Sequence, residues 1–387
     1  MIKNTKGITL VALVITIIIL LILAGISIQA ITQTNLFNKT EQAKGEMDNA
    51  QKKENETLSS YTDRINEYLP ETLSYKVSNG EIEIGAYVNY TPDEVTSDNE
   101  EYKELISNLA TYSGDTEEEE TTAKKIRQEK NIKWRVLDVR DGQVRLISEV
   151  PIPTDAEEND AYLYFESYDG YNNGVKLIDD TCSTLYNNKT LASKVQNLKI
   201  EDIQEKMKEK DYSKFNERYG KTFTYETENR YYPSILLKEK EQEITIGEKT
   251  IKGNELGQSE QNEYIKQEET NEEADTLKVK STYWSKKMEE GDFDNSKYYE
   301  LFIKKGTDYY DYYWLSSRCV NANSGYAGFI VYYVRSGNVD ADDLYYSDDD
   351  GNSDYNACRP VITLNSNVQI DTTNPGDGTE NNGYNIK

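Results

Sequence analysis

YWLSSRCVNANSGYAGFIVYYVRSGNVDADDLYYSDDDGNSDYNACRPVITL, residues 313–364, is the stretch on which the reading of this chain turns. Apolar residues open and close it, and Tyr, Asp, Asn, Ser, Ala and Gly fill the middle. From Leu315 to Val368 there is no Lys, Glu, Gln, Met or Trp, although Lys, Glu and Gln are common elsewhere in the chain. Tyr supplies rigid amphipathic contact area at low entropic cost, and Ser, Gly and Asn supply adaptable hydrogen bonds. This is the alphabet of a contact surface.

Working outward, NIKWRVLDVRDGQVRLIS (131–148) places Ile132, Trp134, Val136, Val144 and Leu146 in alternation with polar residues around Asp141-Gly142. Period-2 alternation about Asp-Gly predicts a β-hairpin with a type I′ turn. Alternation from Tyr75 to Tyr90 about Asn79-Gly80 predicts another. Leu185–Lys210 carries helical spacing (Leu191, Val195, Leu198, Ile203) and reads as a surface helix covering a sheet. Glu117–Glu120 reads as an acidic loop or helix start. Residues 239–290 are dense in Glu, Lys and Gln and read as a charged insertion without a core of its own, with short strands at Ile244–Ile251. Asn365 to Lys387, rich in Asn, Thr, Gly and Asp, buries too little to order itself and is expected to be flexible.

At the other end, Lys3, Lys6 and Gly7 precede an apolar run from Ile8 to Ile28. At about 1.5 Å per helical residue this run spans roughly 30 Å, the thickness of a hydrocarbon core. A helix satisfies its own backbone in lipid, and the flanking lysines favour a cytoplasmic N-terminus, with everything after Ala30 outside. The run exceeds the apolar region of a cleaved signal peptide. Gln29–Leu69 follows with Leu58, Tyr61, Ile65 and Tyr68 at spacings of three and four, closed by Pro70. It reads as an amphipathic helix that Gly45 can bend, or as a solvated stalk.

Composition narrows the chemistry. With 387 residues, 29% of them charged, and a formal charge of -26, the chain is long enough for a substantial core and unsuited to a phosphate backbone, so no nucleic-acid partner is expected. There is no His. Ser-His-Asp and Cys-His nucleophiles and His-ligated zinc are thereby excluded, and the expected role is not enzymatic. Three cysteines, Cys182, Cys319 and Cys358, leave one odd. A Cys319–Cys358 bridge with Cys182 free is one pairing, but spacing alone does not fix it.

Two resemblances add to this. KGITLVALVITIIILLILAGISI (6–28) resembles the prepilin-type segment of type IV pilin-like proteins, which implies cleavage after Gly7 by a prepilin peptidase and a mature chain beginning at Ile8. Ala12 stands where many pilins carry Glu, and this leaves polymerisation open. Tyr313–Arg318, Gly337-Asn338-Val339 and Arg359–Leu364 form a frame that resembles the terminal part of C-type-lectin-like or formylglycine-generating-enzyme-like folds at the end of clostridial prepilin-like surface proteins. IKWRVLDV (132–139) and VRLIS (144–148) resemble its opening hairpin. The residue types missing from 315–368 are those with codons ending only in a purine, as in targets of diversity-generating retroelements.

The lectin-like frame implies a core of Trp314, Leu315, Phe329, Val331, Val361, Ile362 and Leu364, with Arg318 and Arg359 as hydrogen-bonding anchors. It implies an exposed ligand surface of Tyr326, Tyr332, Tyr333, Asp340, Asp342, Asp343, Tyr345, Tyr346, Asp348, Asp350, Asn352, Asp354 and Tyr355. No cofactor is implied, save that Asp348, Asp350, Asn352 and Asp354 offer oxygen ligands for Ca²⁺ off the EF-hand spacing. The expected architecture is α+β: a leader (1–7), a transmembrane helix (8–30), a stalk helix (31–70), a mixed α+β head (73–365) whose antiparallel lectin-like module covers about 308–365, and a tail (366–387). The expected function is a membrane-anchored surface protein recognising a protein or glycan. The alternative is a structural pilin or pseudopilin subunit that associates with its own copies.

Overall fold

The computed structural model describes residues 71–115, 122–153, 162–225, 229–234, 255–264, 277–303 and 312–387. Strand accounts for 37% of these and helix for 24%, which corrects the expected α+β class to a mainly β structure. The leader site Gly7–Ile8, the segments 8–30 and 31–70, the acidic run 117–120 and the strands expected at 244–251 lie outside the described residues. Among the described residues no helix is long and apolar enough to cross a membrane, so the described structure gives the expected transmembrane helix no support. The longest described helix, Ser167–Tyr186, carries Asp169, Lys176, Asp179 and Asp180 and packs on sheets.

In chain order the elements begin with α1 (Leu73–Ser78), β1 (Tyr87–Asn89), α2 (Glu100–Tyr112), β2 (Trp134–Arg140) and β3 (Gln143–Ser148). There follow β4 (Leu163–Glu166), α3 (Ser167–Tyr186), β5 (Ala192–Asn197), α4 (Ile200–Lys206), β6 (Thr222–Tyr225), β7 (Arg230–Pro233), β8 (Gln261–Tyr264), β9 (Leu277–Lys280), β10 (Lys286–Lys287) and α5 (Lys297–Phe302). The C-terminal part is β11 (Tyr313–Ala322), β12 (Ala327–Arg335), β13 (Asn338–Tyr346), β14 (Asp350–Gly351), β15 (Ser353–Asn356), β16 (Pro360–Leu364) and β17 (Tyr384–Asn385).

The β2–β3 hairpin forms as its sequence predicts, with φ of 50° at Asp141 and 72° at Gly142, as a type I′ turn demands. The Asn79-Gly80 expectation fails. Thr72 caps α1, Leu73 and Val77 face the core one turn apart, and Asn79 is the C-cap, with Gly80 at φ 81° just beyond it. Asn-Gly suits a helix terminus as well as a hairpin, and the i, i+4 apolar pair decides between them. The helix expected over 185–210 is likewise corrected: α3 ends at Tyr186, Val195 and Asn197 alternate inward on β5, a period of 2, and beyond α3 only Ile200–Lys206 is α-helical.

Six strands form the first sheet in the order β17-β1-β2-β3-β16-β5. The β16 strand, expected to be buried, lies between β3 and β5, pairing Val361 with Ile147 and Ile362 with both Leu146 and Val195. Both faces are covered. Trp134, Val136, Leu146 and Ile362 meet α3 residues Leu177, Ile178 and Leu185 on one side. Leu137, Ile147 and Val361 meet Leu198, Ile203, Leu301 and Leu315 on the other. The second sheet runs β10-β13-β12-β11, with β14 on β13.

Two arginines tie the frame together as expected. Arg359, fully buried, donates to the carbonyls of Ser148 (3.0 Å), Glu149 (3.0 Å) and Leu301 (2.6 Å) and lies over the Tyr313 ring. Arg318 donates to the Asn172 carbonyl at 2.6 Å and lies over the Tyr171 ring. Trp314, Leu315, Phe329, Val331, Val361, Ile362 and Leu364 are all buried. The C-terminal residues do not form a loose tail: β17 pairs in parallel with β1, and Gln369 and Ile370 bridge Thr72 and Ile386. The charged insertion stops short of its expected end, because Leu277, Val279, Trp284 and Met288 belong to the core.

A candidate ligand-binding cleft

A cleft of about 450 Å³ opens between the second sheet and α4. Ser316 and Arg318 of β11 and Tyr332 of β12 line it from the sheet, while Lys199 and Glu201, Asp202 and Gln204 of α4 line it beside Arg140. Tyr219, Thr282 and Trp284 contribute aromatic and hydroxyl groups, and Val175, Gln196 and Ile200 complete it.

Each wall is fixed by its own chemistry. The α4 wall is held by a buried ionic network: Arg145 grips Asp138 with two bonds of 2.7 Å and reaches Asp202 at 2.6 Å, and Lys206 joins Asp138 at 2.7 Å. Arg140 bonds Asp202 at 3.1 Å from the cleft side. Burial alone would raise the Asp138 carboxyl, but hydrogen bonds and charge from Arg145 and Lys206 outweigh it and hold the group below its ordinary value. The aromatic wall is a stack. Trp284 lies 5.2 Å from Tyr212 at 17° and 5.7 Å from Phe215. Its backbone N–H donates to the Tyr332 hydroxyl, which donates in turn to the Thr282 carbonyl. Burial pushes the Tyr332 phenol well up, so the hydroxyl stays protonated in that relay.

The remaining polar groups are set by neighbours. Ser316 donates to Asp179 at 2.7 Å, and Asp179 also accepts from the Asn197 backbone and lies 3.7 Å from the Lys199 ammonium. Ser317 donates to Glu201 at 3.0 Å. Among the described residues, the indole Nε1 of Trp284, a donor, and the carboxamide Oε1 of Gln196, an acceptor, are buried on lining residues without a hydrogen-bond partner. Such atoms cost free energy unless something bonds them. Aromatic surface, both signs of charge, an unmet donor and an unmet acceptor make a lining suited to a small polar ligand.

The surface implied by the lectin-like frame divides. Asp348, Asp350, Asn352 and Tyr355 are exposed, Tyr355 by 51%, and Tyr326, Asp340, Asp343, Tyr346 and Asp354 are half-buried. Tyr332, Tyr333 and Tyr345 are buried, against expectation, because the second sheet is covered on both faces and inward tyrosines fill its cores. The side chain of Asp342 lies outside the description. Tyr326 and Tyr346 meet edge to face at 5.8 Å, and Tyr355 stacks on Tyr162 at 6.1 Å. Asp340 accepts from the Tyr283 hydroxyl, and Asp354 is paired with Arg335 at 2.8 Å. Asn352 donates to the Asp343 carbonyl. Among the described residues no group of three or more Asp, Glu, Cys or His is placed to hold a metal ion.

Only Tyr332 belongs to both the expected surface and the cleft. Sequence reasoning missed Trp284, Tyr219, Gln196, Lys199 and Glu201. Trp284 carried a usable signal, a Trp amid a Glu- and Lys-rich stretch, which a solvated insertion has no use for. The cysteine pairing is corrected as well. Tyr313 bridges Ala357, so Cys319 lies six residues along β11, roughly 20 Å from Cys358 at about 3.3 Å per residue and beyond the reach of a disulfide. All three thiols are free and buried. No protein-family model, curated protein or solved structure matches this chain.

Proposed function

We propose that this chain is a ligand-recognition protein without catalytic activity, and that a small polar ligand seats in the cleft between β11, β12 and α4. One observation carries the reading: Trp284 Nε1 and Gln196 Oε1 are buried without partners in the wall of a cavity large enough for a ligand of one or two rings. A ligand hydroxyl or amide that reaches either atom supplies the bond it lacks. Lys199, Glu201 and Tyr219, each incompletely buried, orient it. The lectin-like resemblance of 313–364 accords with recognition as the role.

The test is a panel of mono- and disaccharides, amino acids and short peptides, measured by calorimetry against the full chain and variants. Any ligand that binds is expected to lose at least tenfold in affinity in Tyr219→Ala and Lys199→Ala and to keep it in Asp350→Ala. Equal affinity in all three variants contradicts the cleft. A second reading has its own observation: Tyr355 is the one large apolar side chain more than a third exposed among the described residues. With Asp348, Asp350 and Asn352 also exposed a few residues before it in the chain, it suits contact with a macromolecule. Tyr355→Ala abolishing capture of such a partner while Lys199→Ala spares it would favour that reading.

A further inference from the structure

Cys182 lies on α3 and Cys358 stands two residues before β16. Both thiols are free, at 0% and 4% exposure, and both belong to the apolar cluster on the α3 side of the first sheet, whereas Cys319 belongs to the cluster on the opposite side. One carboxamide links the pair. Asn197 Oδ1 accepts from the Arg359 backbone N–H at 2.6 Å, next to Cys358, and lies 3.6 Å from the Cys182 sulfur. The Cys182 sulfur and the backbone just after Cys358 thus meet at one side-chain oxygen.

We propose that Cys182 and Cys358 join in a disulfide when the chain folds in the presence of a low-molecular-weight disulfide, and that Cys319 remains the single thiol. The exchange balances. One cysteine thiolate attacks a sulfur of oxidised glutathione, whose S–S bond breaks to release one glutathione thiolate. The second cysteine attacks the mixed disulfide and releases the other. Two protein thiols are oxidised, one small disulfide is reduced to two thiols, and the two protons pass to the leaving groups. Burial pushes the Cys182 thiol up and slows attack once the core has closed, so the bond forms during folding. It ties α3 to the strand that holds the 313–358 excursion to the first sheet. A closure spanning so long a stretch restricts the unfolded chain strongly.

The experiment refolds the reduced full chain in a glutathione redox buffer, blocks remaining thiols with iodoacetamide and maps peptides by mass spectrometry without reduction. The expected map shows a Cys182–Cys358 cross-link and alkylated Cys319. The melting temperature should lie roughly 10 °C above that of the chain kept reduced. Cys319→Ser keeps the link and the rise, whereas Cys182→Ser and Cys358→Ser lose both. A cross-link within the chain that includes Cys319, or alkylation of all three cysteines, overturns the assignment. The wild-type map alone decides this, whether or not a variant folds.

Discussion

Asp138 and Arg145 are buried as ions because each has more than one partner. Asp138 takes two bonds from Arg145 and one from Lys206, while Arg145 also reaches Asp202. Removing one member strands the others, which in buried networks costs about 3–5 kcal/mol. Asp138→Asn is therefore expected to lower unfolding free energy by roughly that amount at neutral pH, measured by urea denaturation. The pH dependence follows from the direction of the shift. A carboxyl held below its ordinary 3.8 contributes stability above that value and loses it as pH falls through the lower folded value. Wild type should thus lose stability below about pH 4 more steeply than Asp138→Asn, and equal acid limbs would remove the network from the account. Arg359 is the second residue of this kind: its three carbonyl partners span β3, the following loop and α5. Arg359→Met should cost about 2–4 kcal/mol, because three buried acceptors lose their donor.

At the scale of elements, local turn chemistry was readable where nothing competed with it. Asp141-Gly142 and the alternation on both sides of it agree, and the hairpin forms. Asn79-Gly80 carried the same dipeptide logic, but Leu73 and Val77 sit four apart, and tertiary burial favoured one helical turn. The tyrosines of β12 and β13 misled for a related reason. A Tyr-rich strand reads as half-exposed, yet here both faces of the sheet are covered, so Tyr332, Tyr333 and Tyr345 are core. The cleft itself could not be read, because its lining comes from seven separate stretches between Arg140 and Tyr332 that only the fold brings together. The α4 wall depends on Ile203, fully buried against the first sheet. Ile203→Ala is expected to cost about 2–4 kcal/mol. It should also speed amide exchange over 200–206 more than over β16, and uniform exchange across both would mean that α4 is not a separately anchored wall.

Across the described residues, the C-terminal end returns to the start: β17 pairs with β1, and the residues from Val368 to Lys387 bond back to Thr72 and its neighbours. The Asn- and Gly-rich composition of this tail hid the return, since its order comes from backbone pairing and not from apolar area. Truncation after Thr379 removes β17 and is expected to lower the melting temperature by about 5 °C. An unchanged melt would restore the flexible tail. The proposed recognition role rests on the cleft, whose indole offers a direct probe. Among the three tryptophans, Trp314 Nε1 already donates to the Leu163 carbonyl at 2.8 Å, whereas Trp284 Nε1 lies in the cleft wall without a partner. In ¹⁵N-labelled full chain, with the Trp284 indole signal assigned by Trp284→Phe, a panel member that binds should move that signal and leave the Trp314 signal in place. A bound ligand that leaves the Trp284 indole unmoved while shifting amides only across 346–355 contradicts the cleft as the recognition site.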